Sequence, residues 1–252
     1  MAINKESNGY TFGFAIALVV VLGLILATLS EALKERTEDN VKIKKQLDIL
    51  SAMMDIEKEG ITRANAEEEF PNYINIEDAI ILNYKGEVKK TDGNLKPFDV
   101  DIKKENRDKT LSDEDKNYPL FIAKGKKVDK TKYIIPVVGK GLWGPIWGYI
   151  CLKEDMNTIL GVSFDHKTET PGLGAEINKA FFMDRWKDSK IMDDQGSFVK
   201  YEVVKDNSGA TKGDSKIDGI TGGTITSKGV EEMVNRTLKI YAPYFKNIKS
   251  EV

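Results

Sequence analysis

The sequence contains little cysteine, little histidine and no excess of charge of either sign. There is one cysteine and one histidine in 252 residues, and the formal net charge is -2. The lone Cys151 excludes an internal disulfide, and one cysteine with one histidine does not make a zinc site. No metal site is therefore predicted. The balanced charge lacks the basic bias that is typical of nucleic-acid binding, so no nucleic-acid partner is expected.

Residues for nucleophilic or cluster chemistry are also scarce. A histidine-based triad would have to use His166, and no G-x-S-x-G elbow exists to present a nucleophile, so a hydrolase is poorly supported. One cysteine cannot supply the ligand set of an iron–sulfur cluster. No catalytic residue is therefore predicted.

One long apolar run contrasts with this ordinary composition. The stretch FGFAIALVVVLGLILATL, from Phe12 to Leu29, carries no charge. As a helix it would span roughly 27 Å, close to the ~30 Å hydrocarbon core of a bilayer. It predicts a transmembrane anchor over residues 11–30, after a tail over residues 1–10. A secretory signal is the competing interpretation, although the run is longer than a usual signal core.

The charges beside this run do not settle its orientation. Lys5 precedes it, whereas Lys34 and Arg36 follow it. The positive-inside rule therefore leans slightly against placing the rest of the chain outside the cytoplasm.

The remainder of the chain has the pattern of an α+β protein. Residues 31–60 are charged and helical in pattern, which predicts a stalk. Residues 61–130 are expected to form the first part of the globular domain, with a polar surface excursion at 89–117. Four apolar residues of the stalk recur on one helical face: Val41, Leu47, Leu50 and Met54.

Residues 131–252 hold most of the strand signals. The segments YIIPVV, YICLK, ILGVSF and FVKYEVVK each predict a strand. Pro136 within the first of them indicates an edge or a bulge. A helix is predicted from Gly229 to about Tyr241. We therefore expect a mainly antiparallel sheet that is flanked by helices.

Two turns of small residues end in threonine, one at Ser208 to Thr211 and the other at Thr221 to Thr224. A glycine-rich backbone lets N–H groups approach phosphate oxygens, and a helix N-terminus downstream favours negative charge. The second turn meets these conditions, because two glycines precede Thr224 and a helix is predicted to begin near Lys228. On this pattern alone, an ordinary helix cap is the more common meaning.

The second turn lies within DGITGGTITS, which resembles the covalent flavinylation motif of the FMN-binding domain family. Gly223 stands where alanine is usual. The resemblance implies that residues 131–252 form an FMN-binding domain, in which a flavin transferase esterifies Thr224 to the phosphate of FMN. From its position, Thr226 or Ser227 is expected to cap the helix that begins near Lys228. The positions that fall on the motif are Asp218, Thr221, Gly222, Gly223, Thr224 and Ser227.

The first turn, NSGAT, has the residues that are more usual in the core of the motif, but the residues beside it differ from the family motif. Lys205 stands where the family has its aspartate, and Gly213 and Asp214 replace the downstream hydroxyl residues. We therefore predict Thr224, and not Thr211, as the attachment point.

A second segment, FDHKTETPGLGAEI, is similar to the family's Glu-Thr-Pro-Gly-Leu-Gly loop. The resemblance implies a platform for the flavin ring. His166 before the loop and Trp143 in GKGLWGPIWGYICL are further candidates for cofactor binding, although a lone histidine is more often structural and a tryptophan more often belongs to a core. The loop residues that we assign to the cofactor are Glu169, Thr170, Gly172, Leu173 and Gly174.

The Gly-Leu-Trp-Gly stretch resembles the NqrC family of sodium-translocating NADH:quinone oxidoreductases. The segments KKQLDILSAM and FDVDIKKE, together with Trp186, extend the likeness over nearly the whole chain. This resemblance implies a single-pass protein of the bacterial inner membrane with its flavin domain on the periplasmic side. It also implies an electron relay in a Na⁺-exporting complex, which passes electrons to a second covalent flavin on the B-type subunit. The chain alone is not expected to oxidise NADH.

Two alternatives stay open at this point. The G-type subunit of Rnf complexes shares the flavin motifs but lacks the tryptophan segment. A membrane-anchored scaffold without redox activity would use both threonine turns as helix caps only. Colour that survives acid precipitation would exclude the scaffold.

Overall fold

The computed structural model describes residues 7–90, 95–210 and 215–251. Thr211, which ends the first small-residue turn, lies outside the described residues, and so does Lys5. The chain divides into two compact units, Met1–Lys45 and Gln46–Val252.

The described residues of the first unit are helical. Helix α1 spans Asn8–Ala32, and the Ser7 side chain caps it by accepting a hydrogen bond from the Tyr10 N–H at 3.2 Å. The helix has a mean hydropathy of 2.8 and none of its most apolar window is buried, so it is long and apolar enough to cross a membrane. Helix α2 spans Lys34–Ser51, and Val41 within it is exposed.

A five-stranded antiparallel sheet forms the centre of the second unit. Each strand pairs with the next one along the chain, so the sheet is a meander. This sheet with its flanking helices confirms the predicted α+β fold. The strands are β1 (Ile80–Leu82), β2 (Tyr118–Ala123), β3 (Lys132–Lys140), β4 (Pro145–Leu152) and β5 (Ile159–His166).

A small parallel sheet and several helices complete this unit. Strands β6 (Glu202–Val204) and β7 (Lys216–Asp218) pair in parallel, with Val204 opposite Asp218. The loops that follow these two strands carry the two small-residue turns. The helices are α3 (Ala66–Glu69), α4 (Ile102–Arg107), α5 (Ala180–Met183) and the 28-residue α6 (Thr224–Glu251).

Alternate residues of the sheet serve two separate cores, as the pleat of a strand requires. Ile135 of β3 packs with Val230 and Leu238 of α6 on one face. Ile134 packs with Cys151 and Phe121 on the other, beneath the end of α2. Both faces of the sheet are therefore covered. Helix α6 packs on one of them, and this packing fixes the position of its N-terminus.

The predicted bounds of the last helix are wrong at both ends. The helix begins at Thr224 and not at Gly229. The prediction missed this start because Ile225 is the single large apolar residue between Thr224 and Val230, so the segment gives no apolar periodicity. It also continues through Pro243 to Glu251, with Phe245 fully buried. The early start matters, because it makes Thr224 the first residue of the helix.

Two further details differ from the sequence interpretation. Pro136 lies in β3, which is an interior strand, and the register shift of the sheet falls instead between Cys151 and Leu152. Proline is tolerated there because the pairing of β3 with β2 ends at Ile134. Within the polar segment at 89–117, Phe98 is buried against Phe121 at a ring-centroid distance of 6.2 Å.

Candidate functional site

Three segments meet in an open hollow of about 220 Å³. They are the hairpin turn between β3 and β4, the loop after β5 and the first turn of α6. The residues that line the hollow are Leu142, Trp143, Glu169, Thr170, Leu173, Gly174, Gly222, Gly223, Thr224, Ile225 and Thr226.

One carboxylate joins the three segments. Glu169 is 5% exposed, and its Oε1 accepts hydrogen bonds from the N–H groups of Trp143 at 2.8 Å and Gly144 at 3.2 Å. Its Oε2 accepts a hydrogen bond from the Thr226 hydroxyl at 2.5 Å. Burial raises the pKa of Glu169, but the bonds from Thr226 and the two amides outweigh it, so the pKa lies below its usual value. Glu169 is therefore ionised at neutral pH.

The backbone around this carboxylate approaches so closely that a side chain would not fit. A Cβ atom at Gly174 would overlap Thr226 Oγ1 and would lie 2.5 Å from Glu169 Oε2. The glycine thus allows the loop after β5 to contact the helix N-terminus directly.

The polar residues after Thr224 do not cap the helix as predicted. Thr226 and Ser227 lie inside the first turn of α6 and are buried. The Thr226 hydroxyl binds Glu169, whereas Ser227 Oγ accepts a hydrogen bond from the Ile220 N–H at 3.1 Å. Both hydroxyls therefore attach the helix to neighbouring loops.

Thr224 itself takes no part in these contacts. Its side chain is exposed, and none of the residues that the structure describes forms a hydrogen bond with its hydroxyl. Within the same described ranges, no acceptor binds the N–H groups of Thr224, Ile225 or Thr226. The first N–H groups of a helix lack intrahelical acceptors, and they carry the positive end of its dipole. This helix end can therefore receive an anion beside a reactive hydroxyl.

Large apolar side chains surround the same hollow. Leu142, Trp143, Leu173 and Ile225 are 46%, 67%, 42% and 60% exposed. Exposed apolar side chains that cluster at one place commonly mark a binding surface. We call these four residues the apolar rim. It suits a flat, largely apolar group next to the helix N-terminus.

Four of the predicted site residues, His166, Gly172, Asp218 and Thr221, do not line the hollow. His166 ends β5, and its Nδ1 accepts a hydrogen bond from the Glu169 N–H at 3.2 Å. Asp218 accepts hydrogen bonds from Ser208, and Thr221 donates hydrogen bonds to Asp206. Gly172, with a φ of 76°, shapes the loop between Thr170 and Leu173. The hollow therefore brings together the loop after β5 and the threonine turn. His166 contacts the hollow through Glu169.

Several residues of this site could not be identified from the sequence. Leu142 stands out there only as part of a motif, Thr226 has the position of a helix cap, and Ile225 is not one of the motif positions. The pattern of apolar and polar residues in a single sequence does not indicate that Thr226 binds Glu169. Gly139 to Gly144 also have the G-x-G-x-x-G spacing of a dinucleotide fingerprint, but they form a turn between antiparallel strands and open no helix, so the fingerprint does not apply.

The two glycines of the threonine turn should respond differently to alanine. Gly222 has a φ of 75°, and a Cβ there would lie 2.5 Å from Leu173 Cδ2. At Gly223 the nearest atoms would lie at 3.0–3.1 Å, and its φ is not positive. We expect Gly222→Ala to lower the free energy of unfolding by roughly 1–2 kcal/mol, and Gly223→Ala to lower it by less. Thermal unfolding of both variants checks this, and a larger loss for Gly223→Ala would contradict it.

The fold and this hollow define a flavin-carrying module. Residues 141–239 match the family model described as FMN-binding domain, which covers the hairpin turn, the loop after β5 and the start of α6. This match supports FMN as the cofactor of the domain.

Similar proteins extend the relationship to most of the chain. The crystal structure of the NqrC protein of the Na(+)-translocating NADH-quinone reductase from Parabacteroides distasonis is 36% identical, with a TM-score of 0.70 over 84% of this chain and 96% of that one. The corresponding protein from Vibrio parahaemolyticus is 29% identical over 92% of this chain and 90% of its own length. The structure of Shewanella oneidensis NqrC shares the fold at 23% identity and a TM-score of 0.63. The chain belongs to the NqrC family of Na⁺-translocating NADH-quinone reductases, which confirms the resemblance seen in its motifs.

Proposed function

We propose that this chain is an electron-relay subunit of a membrane NADH:quinone oxidoreductase that exports Na⁺. In this proposal, its FMN is bound covalently through a phosphoester to Thr224. The observation that carries the proposal is the exposed Thr224 hydroxyl at the first residue of a long helix, beside the apolar rim. Membership of the NqrC family supports the redox role and the parent complex.

Different residues of the hollow match the phosphate and the ring of FMN. A phosphate needs N–H donors and positive potential, which the N-terminus of α6 offers at Thr224, Ile225 and Thr226. The isoalloxazine ring is flat and largely apolar, and the apolar rim matches it. The exposed side chain of Thr170 is available to the polar edge of the ring, whereas the Thr170 carbonyl oxygen already accepts hydrogen bonds from the N–H groups of Leu173 and Ala175. FMN supplies the electron chemistry when it is bound, and the protein supplies attachment and surroundings.

The surroundings that this chain supplies are set by the loops. Glu169 keeps the hairpin turn, the loop and the helix start in one arrangement, so the rim and the attachment point stay together. Its negative charge lies next to the hollow, where it disfavours added electron density. The covalent bond holds the cofactor at a high local concentration, so weak contacts from the rim are sufficient.

The partners and location follow the family. We propose that α1 anchors the chain in the bacterial inner membrane as a single pass, with the flavin domain on the periplasmic side. The other subunits of the complex are its partners, and the covalent flavin of the B-type subunit accepts its electrons. A flavin transferase is required for maturation. Oxidation of NADH is assigned to another member of the complex.

Peptide mass mapping tests the attachment. The full-length protein is produced with an active flavin transferase, digested and searched for a mass gain of FMN less one water. We expect the gain on the peptide that contains Thr224. A gain on Thr211 would keep the flavin function but move the site. An unmodified protein, made beside a transferase that loads a known acceptor, would instead support the scaffold without redox activity.

A further inference from the structure

The two small-residue loops are bonded to each other through crossed carboxylates. Asp206 follows β6, and its Oδ2 accepts hydrogen bonds from the Thr221 hydroxyl at 2.8 Å and the Thr221 N–H at 3.3 Å. Asp218 ends β7, and its Oδ1 accepts from the Ser208 hydroxyl at 2.6 Å and the Ser208 N–H at 3.1 Å. Each loop thus supplies the acceptor that holds the other.

A single arginine joins this arrangement from a third segment. Arg185 donates through one nitrogen to the carbonyl oxygens of Asp218 at 2.7 Å and Gly219 at 2.5 Å. Its second terminal nitrogen lies 3.0 Å from Asp206 Oδ1. The Thr221 hydroxyl and the charge of Arg185 hold the pKa of Asp206 below its usual value. Both side chains are partly screened from water, with exposures of 24% for Arg185 and 17% for Asp206. We call Arg185, Asp206 and Thr221 the clasp.

The clasp lies directly before the glycines of the attachment turn. Gly222 and Gly223 follow Thr221, and two successive glycines leave the backbone many alternative conformations. The exposed Thr224 comes next. Neither Arg185 nor Asp206 lines the hollow, so neither is placed to contact the cofactor.

We propose that Arg185 and Asp206 are positioning residues for flavin attachment. They fix Thr221 and the start of the turn, and thereby hold the Thr224 hydroxyl in the orientation that the transferase requires. The inference rests on the proposed function. In the transfer, the anhydride bond of a flavin dinucleotide breaks and the Thr224 Oγ–phosphorus bond forms. The nucleoside monophosphate leaves, and the hydroxyl proton passes to solvent.

The test measures initial rates of flavin transfer. Detergent-solubilised full-length protein, made without flavin, is incubated with purified transferase and a flavin dinucleotide. We expect Asp206→Ala to lower kcat/KM for the acceptor protein roughly ten-fold or more. Asp206→Asn keeps an oxygen acceptor for the Thr221 hydroxyl but turns its amide nitrogen toward Arg185, so it should recover part of the rate. If Asp206 only stabilised the fold, the transfer rates of the variants would follow their melting temperatures, and the asparagine variant would show no specific recovery.

Two matched controls separate positioning from general stability. Asp155 also accepts bonds from a threonine hydroxyl and amide, those of Thr158, in a turn on the sheet. Arg236 also binds a carbonyl oxygen, that of Val138, and an acidic partner. Neither borders the hollow, so Asp155→Ala and Arg236→Met should load at the wild-type rate, whereas Arg185→Met should load slowly.

The possible outcomes distinguish the two proposals. If wild-type protein takes up no flavin, both the function and the clasp are wrong. If wild-type protein loads on Thr224 and Asp206→Ala loads equally fast, only the clasp is wrong. If Asp206→Ala folds poorly, the comparison of Asp206→Asn with Arg185→Met decides, and equal wild-type rates for both would overturn the clasp.

Discussion

Thr224→Val should yield a folded protein that carries no covalent flavin. Valine has nearly the shape of threonine but has no hydroxyl, so no phosphoester can form. The Thr224 side chain is exposed and its hydroxyl has no hydrogen-bond partner among the described residues. The stability change should therefore stay within about 0.5 kcal/mol. Flavin absorbance after denaturation in acid measures the attached cofactor directly.

Two companion variants make this result specific. Thr224→Ser keeps a hydroxyl at the same position and should still be loaded, although more slowly. Thr211→Val removes the hydroxyl of the other small-residue turn and should load at the wild-type level. Retained covalent flavin in Thr224→Val, or its loss in Thr211→Val, would show that another residue is the acceptor.

Glu169→Ala should be among the most destabilising single changes in the domain. It leaves the partly buried N–H groups of Trp143 and Gly144 and the buried Thr226 hydroxyl without their acceptor. A buried donor without a partner costs about 1–3 kcal/mol, whereas water can reach the two partly buried amides, so we expect a loss of roughly 2–4 kcal/mol in the free energy of unfolding. Glu169→Gln keeps one acceptor oxygen but turns an amide toward donors, and should lose about 1–2 kcal/mol. Denaturant unfolding of both variants tests this.

The pH dependence of stability distinguishes the effect of the charge of Glu169 from the effect of its shape. Because the folded-state pKa is lowered, the ionised carboxylate stabilises the protein above its unfolded pKa of about 4.3. That contribution is lost as the pH falls through the folded pKa. The stability difference between wild type and Glu169→Gln should therefore shrink in acid. Glu105→Gln serves as the control, because it alters a carboxylate that binds Asn117 and does not line the hollow. It should leave the contacts of Glu169 unchanged. An unchanged difference at all pH values would contradict an ionised Glu169.

The parts of the site that lie close together in sequence could be predicted from it. The threonine turn and the loop around Leu173 are continuous segments, so their glycines, proline and hydroxyls give a local signal. The start of α6 was misplaced, because two glycines followed by polar residues resemble a loop. The contacts of Glu169 with Thr226 and of Asp206 with Thr221 depend on how distant strands pair. A single sequence does not encode that information in any local pattern.

The pairing of Glu169 with Thr226 has a consequence for folding kinetics. These residues are 57 positions apart, whereas the meander of β1 to β5 joins neighbouring segments. Contacts between distant segments carry a larger loop-closure cost and tend to form after local ones. The hollow is therefore complete only after α6 docks on the sheet. A transferase that acts on the finished hollow would load only chains that have passed this late step. The yellow colour per mole of protein would then report the fraction of chains that folded correctly.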